Sequence, residues 1–115
     1  MNVAGSAIDW QLCIKLANDK EELARELLGI YVDELPKYKI KIKQAYTSGD
    51  FAELHAHVHK LHSSSCYCGV PRVKEIACLL EAAIKQHDEQ DIVSLVGALY
   101  QRIDEVLAAY ASGEY

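Results

Sequence analysis

Residues 55–69 read HAHVHKLHSSSCYCG and hold four of the five histidines of the chain and two of its four cysteines. Imidazole and thiol groups bind metal ions, act as nucleophiles and take part in redox chemistry. The stretch therefore permits three kinds of site: a metal site, a thiol redox site, or one nucleophilic histidine among side chains with other roles.

An α-helix through this stretch separates the side chains onto different faces. His55, His59 and His62 fall in one outward sector, with Cys66 beside them. His57 lies at the border of the opposite face and is expected to be structural. That opposite face is the predicted core side of the helix, formed by Leu54, Val58, Leu61 and Ser65.

A metal site is one interpretation of the outward row, because histidines at i and i+4 can share an ion. No acidic residue occupies the position that an H-E-x-x-H motif requires, and carboxylates near the row are few. A helical metal-binding module stays as an alternative. The cysteines lack the C-x-x-C redox spacing, so all four are expected to be small packing residues, buried or half-buried: Cys13, Cys66, Cys68 and Cys78.

A nucleophilic histidine is the remaining interpretation, since neutral imidazole is a good nucleophile near neutral pH. His62 and Ser63 follow His59 at i+3 and i+4, where they lie next to it on the helix surface. No nucleotide-binding loop accompanies them. Such a domain could accept and pass on a phosphoryl group but could not take one from ATP. Spacing alone permits this chemistry and does not select it.

Cap residues and hydrophobic spacing predict the helices that position this row. Helix starts are expected at SAID (6–9), NDKE (18–21), GDFAE (49–53) and VPR (70–72). Asn18 is the predicted N-cap of the second helix and Asp50 that of the third. The second helix is expected to carry Leu23, Leu27 and Ile30 on one face, and the last helix Ile92, Val96, Leu99, Ile103, Val106 and Tyr110.

The segment PKYKIKIKQ (36–44) alternates polar and apolar residues, which is a strand pattern. Nothing else in the sequence alternates convincingly, so a strand would have no partner. We interpret it as the second half of the second helix, bent at Pro36, with its lysines in solvent. The short loops make sequential helices antiparallel, which predicts an all-α bundle.

Composition bounds the remaining classes. A chain of 115 residues fits a single domain, with residues 1–5 and 112–115 expected to be flexible. The net charge of −5 argues against a nucleic-acid partner. No apolar run approaches the roughly 20 residues needed to cross a bilayer, so we expect no membrane contact by this domain. Free thiols in a reducing compartment favour a cytoplasmic location.

The segment VHKLHSSSCYCGVPRVKEIACLLE (58–81) resembles the signature of the histidine-containing phosphotransfer (Hpt) domain. That signature runs roughly His-x-Leu-Lys-Gly-Ser/Ala, then a glycine, then Leu-Glu near the end of the following helix. The matching residues are His59, Leu61, Ser64, Gly69, Leu80 and Glu81. Within the family, the segment is most similar to the C-terminal Hpt domain of hybrid sensor kinases of the BarA type, which share HKLH and GVPR.

The resemblance implies an antiparallel four-helix bundle with a short N-terminal helix and the phosphoacceptor His59 on the third helix, counting the short one. It implies a monomeric phosphorelay intermediate between receiver domains of a hybrid sensor kinase and of a response regulator. The domain would have no intrinsic cofactor, since Mg²⁺ comes with the receiver. It would itself be a phosphocarrier without an ATP site, either as a free protein or as the cytoplasmic tail of a membrane-anchored histidine kinase. Residues implied around the phosphate and the docking surface are Lys60, His62, Ser63, His55 and Cys66.

Two residues depart from the family signature. His62 stands where the usual residue is lysine, so its positive charge depends on pH. Ser63 stands where the usual residue is glycine, and it adds a side chain where a partner approaches. A domain that only docks, without phosphotransfer, is the second alternative.

Overall fold

The structure, a computed structural model, describes residues 6–113 and 115. The described residues form five α-helices: α1 (Trp10–Leu16), α2 (Glu21–Ser48), α3 (Phe51–Ser65), α4 (Pro71–Lys85) and α5 (Glu89–Ser112). Helices α2 to α5 pack in a ring, each against its neighbours in sequence and α5 back against α2, while α1 packs on α2. The predicted all-α four-helix bundle with a short N-terminal helix is confirmed.

Side chains and glycines mark several helix ends where the sequence predicts them. The Asp50 carboxylate accepts a hydrogen bond from the Glu53 backbone N–H, and Gly49 closes α2 with φ +73°. Pro71 lies in the first turn of α4. The predicted start of α2 is wrong, because Asn18 and Asp19 adopt positive φ in the preceding turn and Lys20 occupies the N-cap position.

The predicted core face of α2 is also wrong in its first half. Leu23 and Ile30 are 39% and 55% exposed, and Leu27 is half-buried. The buried stripe instead consists of Ala24, Leu28, Tyr31, Val32 and Leu35. Two apolar stripes run along this half of the helix, and packing against α3 and α5 selects the stripe that local spacing did not.

The alternating segment 36–44 is helical, as interpreted, and α2 continues through Pro36. Ile42 is fully buried, whereas Ile40 is exposed. Lys39 differs from the solvated lysines around it, because its Nζ lies 2.8 Å from Asp104 of α5 and over the ring of Tyr100. One lysine of the predicted basic collar therefore contributes to the contact between α2 and α5.

Helix α1 is attached to the turn between α3 and α4. The Asp9 N–H donates to the Gly69 carbonyl over 2.7 Å, and the Gly69 N–H contacts the Cys13 thiol at 3.3 Å. A Cβ added to Gly69 would overlap the Asp9 carbonyl oxygen and lie 2.8 Å from the Cys13 nitrogen. Only glycine permits this close approach of the two backbones.

The ends of the chain are described in part. Residues 1–5 and 114, within the segments expected to be flexible, lie outside the described residues. Helix α5 extends to Ser112, and the Tyr115 ring stacks on Tyr110 and meets Trp10 edge-on. Flexibility of the C-terminal residues stays a prediction. Within the described part of the chain, no helix combines the length and apolar character that crossing a membrane requires.

Candidate functional site

Helix α3 separates its side chains as the sequence predicts. Leu54, Val58, Leu61 and Ser65 are fully buried. Ser65 is a polar residue in the core, and its hydroxyl is satisfied by the Leu61 carbonyl and the Tyr31 hydroxyl. Among the outward histidines, the side chain of His59 is 58% exposed, whereas those of His55 and His62 are 33% and 26% exposed. The core of the bundle thus fixes the rotation of α3 that presents His59 to solvent.

The outward row converges on one carboxylate, Glu81 of α4. Its Oε2 lies 2.8 Å from Nδ1 of His59, and its Oε1 lies 3.2 Å from Nδ1 of His62. Nε2 of His55 is 3.7 Å from Oε2, which is too far for a hydrogen bond. The Glu81 side chain is only 13% exposed, so this carboxylate lies in the groove between α3 and α4 beneath the imidazoles.

The contact with Glu81 determines which nitrogen of His59 is protonated. An ionised carboxylate only accepts hydrogen bonds, so the hydrogen of neutral His59 resides on Nδ1. The lone pair then resides on Nε2, which has no hydrogen-bond partner within the described part of the chain. Whenever the ring is neutral, its unprotonated nitrogen is therefore on an exposed side chain, as a nucleophile requires.

Glu81 is held in its ionised form. Burial acts to raise the pKa of this carboxyl, but hydrogen bonds from His59 and His62, together with the positive charge these rings can carry, outweigh burial and lower the pKa below its ordinary 4.5. The carboxylate is consequently available as an acceptor throughout the physiological pH range.

His55 forms the wall of the site on its N-terminal side. Its ring lies nearly parallel to that of His59, with 6.1 Å between the ring centroids and 9° between the planes. Its Nε2 is buried and has no hydrogen-bond partner in the described part of the chain. His55 therefore lies alongside the His59 ring without a hydrogen bond to Glu81.

The other flank of α3 contains a second histidine–glutamate pair. Nε2 of His57 lies 3.0 Å from Oε2 of Glu53, one turn earlier on the same helix. His57 faces a shallow groove between α2 and α3, which is also lined by Lys37, Lys41 and Lys60. Lys60 thus lies on the α2 side of His59, away from Glu81, and its role in docking stays a prediction.

The remaining predicted site residues surround the end of α3. Ser63 is exposed one turn after His59 on α3, and its hydroxyl forms no hydrogen bond with any described residue. Cys66 is half-buried at the C-cap and lines a cavity of about 280 Å³ with Leu12, Leu16 and Lys74, among other residues. Its contact with a partner stays a prediction.

The four cysteines are free thiols, and three of them, Cys13, Cys66 and Cys68, are buried or half-buried as expected. Cys13 and Cys68 are buried, and burial raises the pKa of both thiols, that of Cys68 to about 12. Such thiols are poor nucleophiles. Cys78 is exposed, so the expectation of burial is wrong for this residue.

No group of three or more histidine, cysteine, aspartate or glutamate side chains among the described residues is arranged to hold a metal ion. The imidazoles point their nitrogens at Glu81 instead of at a shared vacant point. The metal-binding alternative gains no support from this arrangement.

Sequence reasoning did not assign Glu81 to the site, although it matched the Leu-Glu of the family signature. The carboxylate comes from the next helix, 22 residues after His59, so no local spacing reveals it. Its position directly after buried Leu80 places it at the edge of the α4 core face, and this was the available signal.

Comparison with known families decides what this site belongs to. The family model of the Hpt domain matches residues 26–109, most of the chain. The chain belongs to the Hpt family. Its function is histidine phosphotransfer in two-component signalling, and receiver domains are the partners that membership implies.

Individual relatives agree with this assignment of the Hpt domain. The chain is 32% identical over 101 residues to the signal transduction histidine-protein kinase BarA of Escherichia coli K12, covering 88% of the chain and 11% of that protein. It is 32% identical over 88 residues to the sensor histidine kinase GacS of Pseudomonas protegens, covering 76% of the chain and 10% of that protein. The chain thus spans about a tenth of the length of these relatives.

A solved structure has the same fold. The crystal structure of the Hpt domain from a Shewanella sensor hybrid histidine kinase superposes with a TM-score of 0.75 at 33% identity. The match covers 92% of this chain and 95% of that one. The Hpt fold therefore extends over nearly the whole chain.

Proposed function

We propose that His59 accepts a phosphoryl group from the aspartyl phosphate of one receiver domain and passes it to an aspartate of a second receiver. The observation that supports this is the contact between Nδ1 of His59 and Glu81, which leaves Nε2 as the unprotonated nitrogen of an exposed ring. His59 is the only histidine of the outward row that combines a carboxylate on Nδ1 with a largely exposed side chain among the described residues.

The transfer step is an in-line displacement at phosphorus. Nε2 of His59 forms a bond to phosphorus while the bond to the aspartate oxygen breaks, and the receiver recovers its carboxylate. Nδ1 keeps its hydrogen, so the phosphorylated ring carries a positive charge beside Glu81. The anionic carboxylate stabilises that charge as it develops, without having to reorganise. Reversal of the step on a second receiver regenerates neutral His59.

The partner supplies the rest of the chemistry. Mg²⁺ held by the receiver would neutralise charge on the phosphoryl group, while this domain would provide the oriented nucleophile, His59. The exposed surface around His59 includes Ser63, whose small side chain admits close approach. We also propose that the domain acts as a monomer, in the cytoplasm, where reduced thiols such as its four free cysteines persist.

The test is phosphorylation of the purified chain by a phosphorylated receiver domain in the presence of Mg²⁺. We expect phosphate that is labile in acid and stable in alkali, as expected for a phosphohistidine, and its complete absence from His59→Gln. The matched control is His57→Gln on the same helix, which should accept phosphate at the rate of the unmodified chain. Acid-labile phosphate on His59→Gln would refute the assignment.

The same assay separates phosphotransfer from docking alone. A chain that binds the receiver, as measured by calorimetry, but never acquires phosphate would be a docking module. Chemical phosphorylation by phosphoramidate then shows whether His59 is reactive without a partner. Failure of both reagents would exclude phosphotransfer through His59.

A further inference from the structure

We infer that His62 is a positioning residue, which holds Glu81 in the orientation that keeps the hydrogen of His59 on Nδ1. The inference rests on the proposed role of His59 as the nucleophile. It concerns the position at which this chain departs from the family signature, where the usual residue is lysine.

The two oxygens of Glu81 have different partners. Oε2 accepts from His59 and Oε1 accepts from His62, and no other hydrogen bond to this carboxylate forms within the described part of the chain. Because both oxygens are bonded to the same Cδ, which is tethered to α4, holding Oε1 restricts the directions in which Oε2 can point. His62 thereby determines where the acceptor for Nδ1 of His59 is located.

A glutamate side chain needs such an anchor. Glu81 reaches His59 across the groove from α4 through three rotatable bonds, and ordering a side chain of this length has a substantial entropic cost. A single hydrogen bond to a ring that is 58% exposed opposes that cost weakly. The second bond comes from a ring that is only 26% exposed, where competition from water is lower.

His55 does not provide this anchor. Its Nε2 is 3.7 Å from Oε2, the oxygen that His59 already uses, and it does not approach Oε1 within bonding distance. His62 is also one turn further along α3 than His59. As i and i+3 neighbours, the two rings lie on the same side of the helix, and each forms a hydrogen bond with the carboxylate. The geometry thus distinguishes His62 from the other outward histidine.

Histidine and lysine at position 62 would differ in how precisely they direct a hydrogen bond at Glu81. Imidazole Nδ1–H is a directed donor whether the ring is neutral or charged, whereas lysine is a flexible point charge. His62 can therefore hold Glu81 without adding a permanent positive charge beside the nucleophile. The variant that keeps a donor but no charge is His62→Gln, and the variant that removes the donor is His62→Leu.

The experiment measures the tautomer of His59 by ¹⁵N NMR of the imidazole nitrogens in the full chain, at a pH where the rings are neutral. We expect the ratio of Nδ1–H to Nε2–H forms to fall about two- to fivefold in His62→Leu, the effect of losing about one hydrogen bond. His62→Gln should restore most of the ratio. His57→Gln, on the other flank of the same helix, should leave it unchanged.

Each outcome decides a separate question. An unchanged tautomer ratio in folded His62→Leu, or in His62→Ala if leucine impairs folding, would overturn the inference. An equal fall in His57→Gln would also overturn it, because the effect would then be general to α3. If the ratio falls as expected but no receiver phosphorylates even the unmodified chain, the positioning role stands and the proposed function fails.

Discussion

The two flanks of α3 carry the same pair of functional groups in different arrangements. On one flank, His59 contacts Glu81 through Nδ1, and the carboxylate comes from another helix and is 13% exposed. On the other flank, His57 contacts Glu53 through Nε2, and the carboxylate comes from the same helix and is 60% exposed. The difference determines which nitrogen is left for chemistry.

The local pair ties up the outer nitrogen of the ring. With Nε2 of His57 directed at Glu53, the remaining nitrogen is Nδ1, next to the backbone and poorly placed to attack a bulky group. An i,i+4 pair whose carboxylate is largely exposed contributes only about 0.3–0.5 kcal/mol to helix stability. The pair on the α2 side is therefore a modest helix contact.

The pair formed by His59 of α3 and Glu81 of α4, here called the cross-helix pair, leaves Nε2 of the histidine without a partner among the described residues. Because Glu81 approaches His59 from below, it occupies Nδ1 and spares Nε2, and its low exposure keeps water from competing for the carboxylate. Under the proposed function, the direction from which the carboxylate approaches the ring determines which of the two histidines can act as the nucleophile. Composition is the same on both flanks.

Replacing each carboxylate by an amide should give the largest difference between the two pairs, measured as the rate of phosphorylation of His59. We expect Glu81→Gln to slow phosphorylation of His59 by a receiver roughly 10–100-fold, by analogy with the loss of a carboxylate that orients a metal-binding imidazole. The amide cannot stabilise the positive charge that develops on the ring. Glu53→Gln is the matched control and should leave the rate unchanged. Equal rates for the two variants would contradict the distinction.

A side chain that displaces the turn between α3 and α4 should change the position of the His59–Glu81 pair and leave the His57–Glu53 pair in place. In Gly69→Ala, the new methyl group meets the backbone of Asp9 and Cys13, which cannot move aside as a side chain could. We expect a loss of about 1–3 kcal/mol in the free energy of unfolding, measured by urea denaturation. The NMR signals of His59 should shift, while those of His57 stay in place.

If the NMR signals of both His59 and His57 shift in Gly69→Ala, or if neither set shifts, the turn does not specifically set the position of Glu81. Gly97→Ala is the stability control, because a Cβ at this position in α5 has no heavy atom within 4 Å.

Acid should weaken the cross-helix pair in a defined window. The pKa of Glu81 is lowered below 4.5 in the folded chain, so its contribution to stability is present above that value and is lost as the pH falls through the folded pKa. The difference in unfolding free energy between the unmodified chain and Glu81→Gln should therefore shrink as the pH falls below about 5. Urea denaturation across this range measures it. A difference that grows in acid would contradict the lowered pKa.

The two pairs also show how far sequence alone could go. The helical period assigned the core face of α3, and the family signature selected His59. Glu53 and His57 are four residues apart, so their pairing is readable from spacing. Glu81 reaches the row only after the turn at Gly69 sets α4 against α3, and that geometry depends on a close contact with α1.

The error on α2 has the same origin. Leu23, Leu27 and Ile30 have the period of a buried face, yet the core selects the stripe that includes Leu28 and Tyr31. Tyr31 belongs inside because its hydroxyl meets Ser65 of α3 at 2.8 Å. Local periodicity shows that a helix is amphipathic, whereas contacts between helices decide which stripe is buried when two compete.

The smallest effect on phosphotransfer is expected at Ser63, the second residue that departs from the family signature. Ser63 is exposed and its hydroxyl forms no hydrogen bond with a described residue, so Ser63→Gly removes a side chain without breaking a hydrogen bond. The glycine costs up to about 1 kcal/mol of helix stability, and less here because the position is in the last turn of α3. Closer approach of the receiver should keep the transfer rate or raise it by a small factor. Single-turnover kinetics with a phosphorylated receiver measure this, and a loss of more than about tenfold, over 1.4 kcal/mol in the barrier, would show that the hydroxyl contacts the phosphoryl group during transfer.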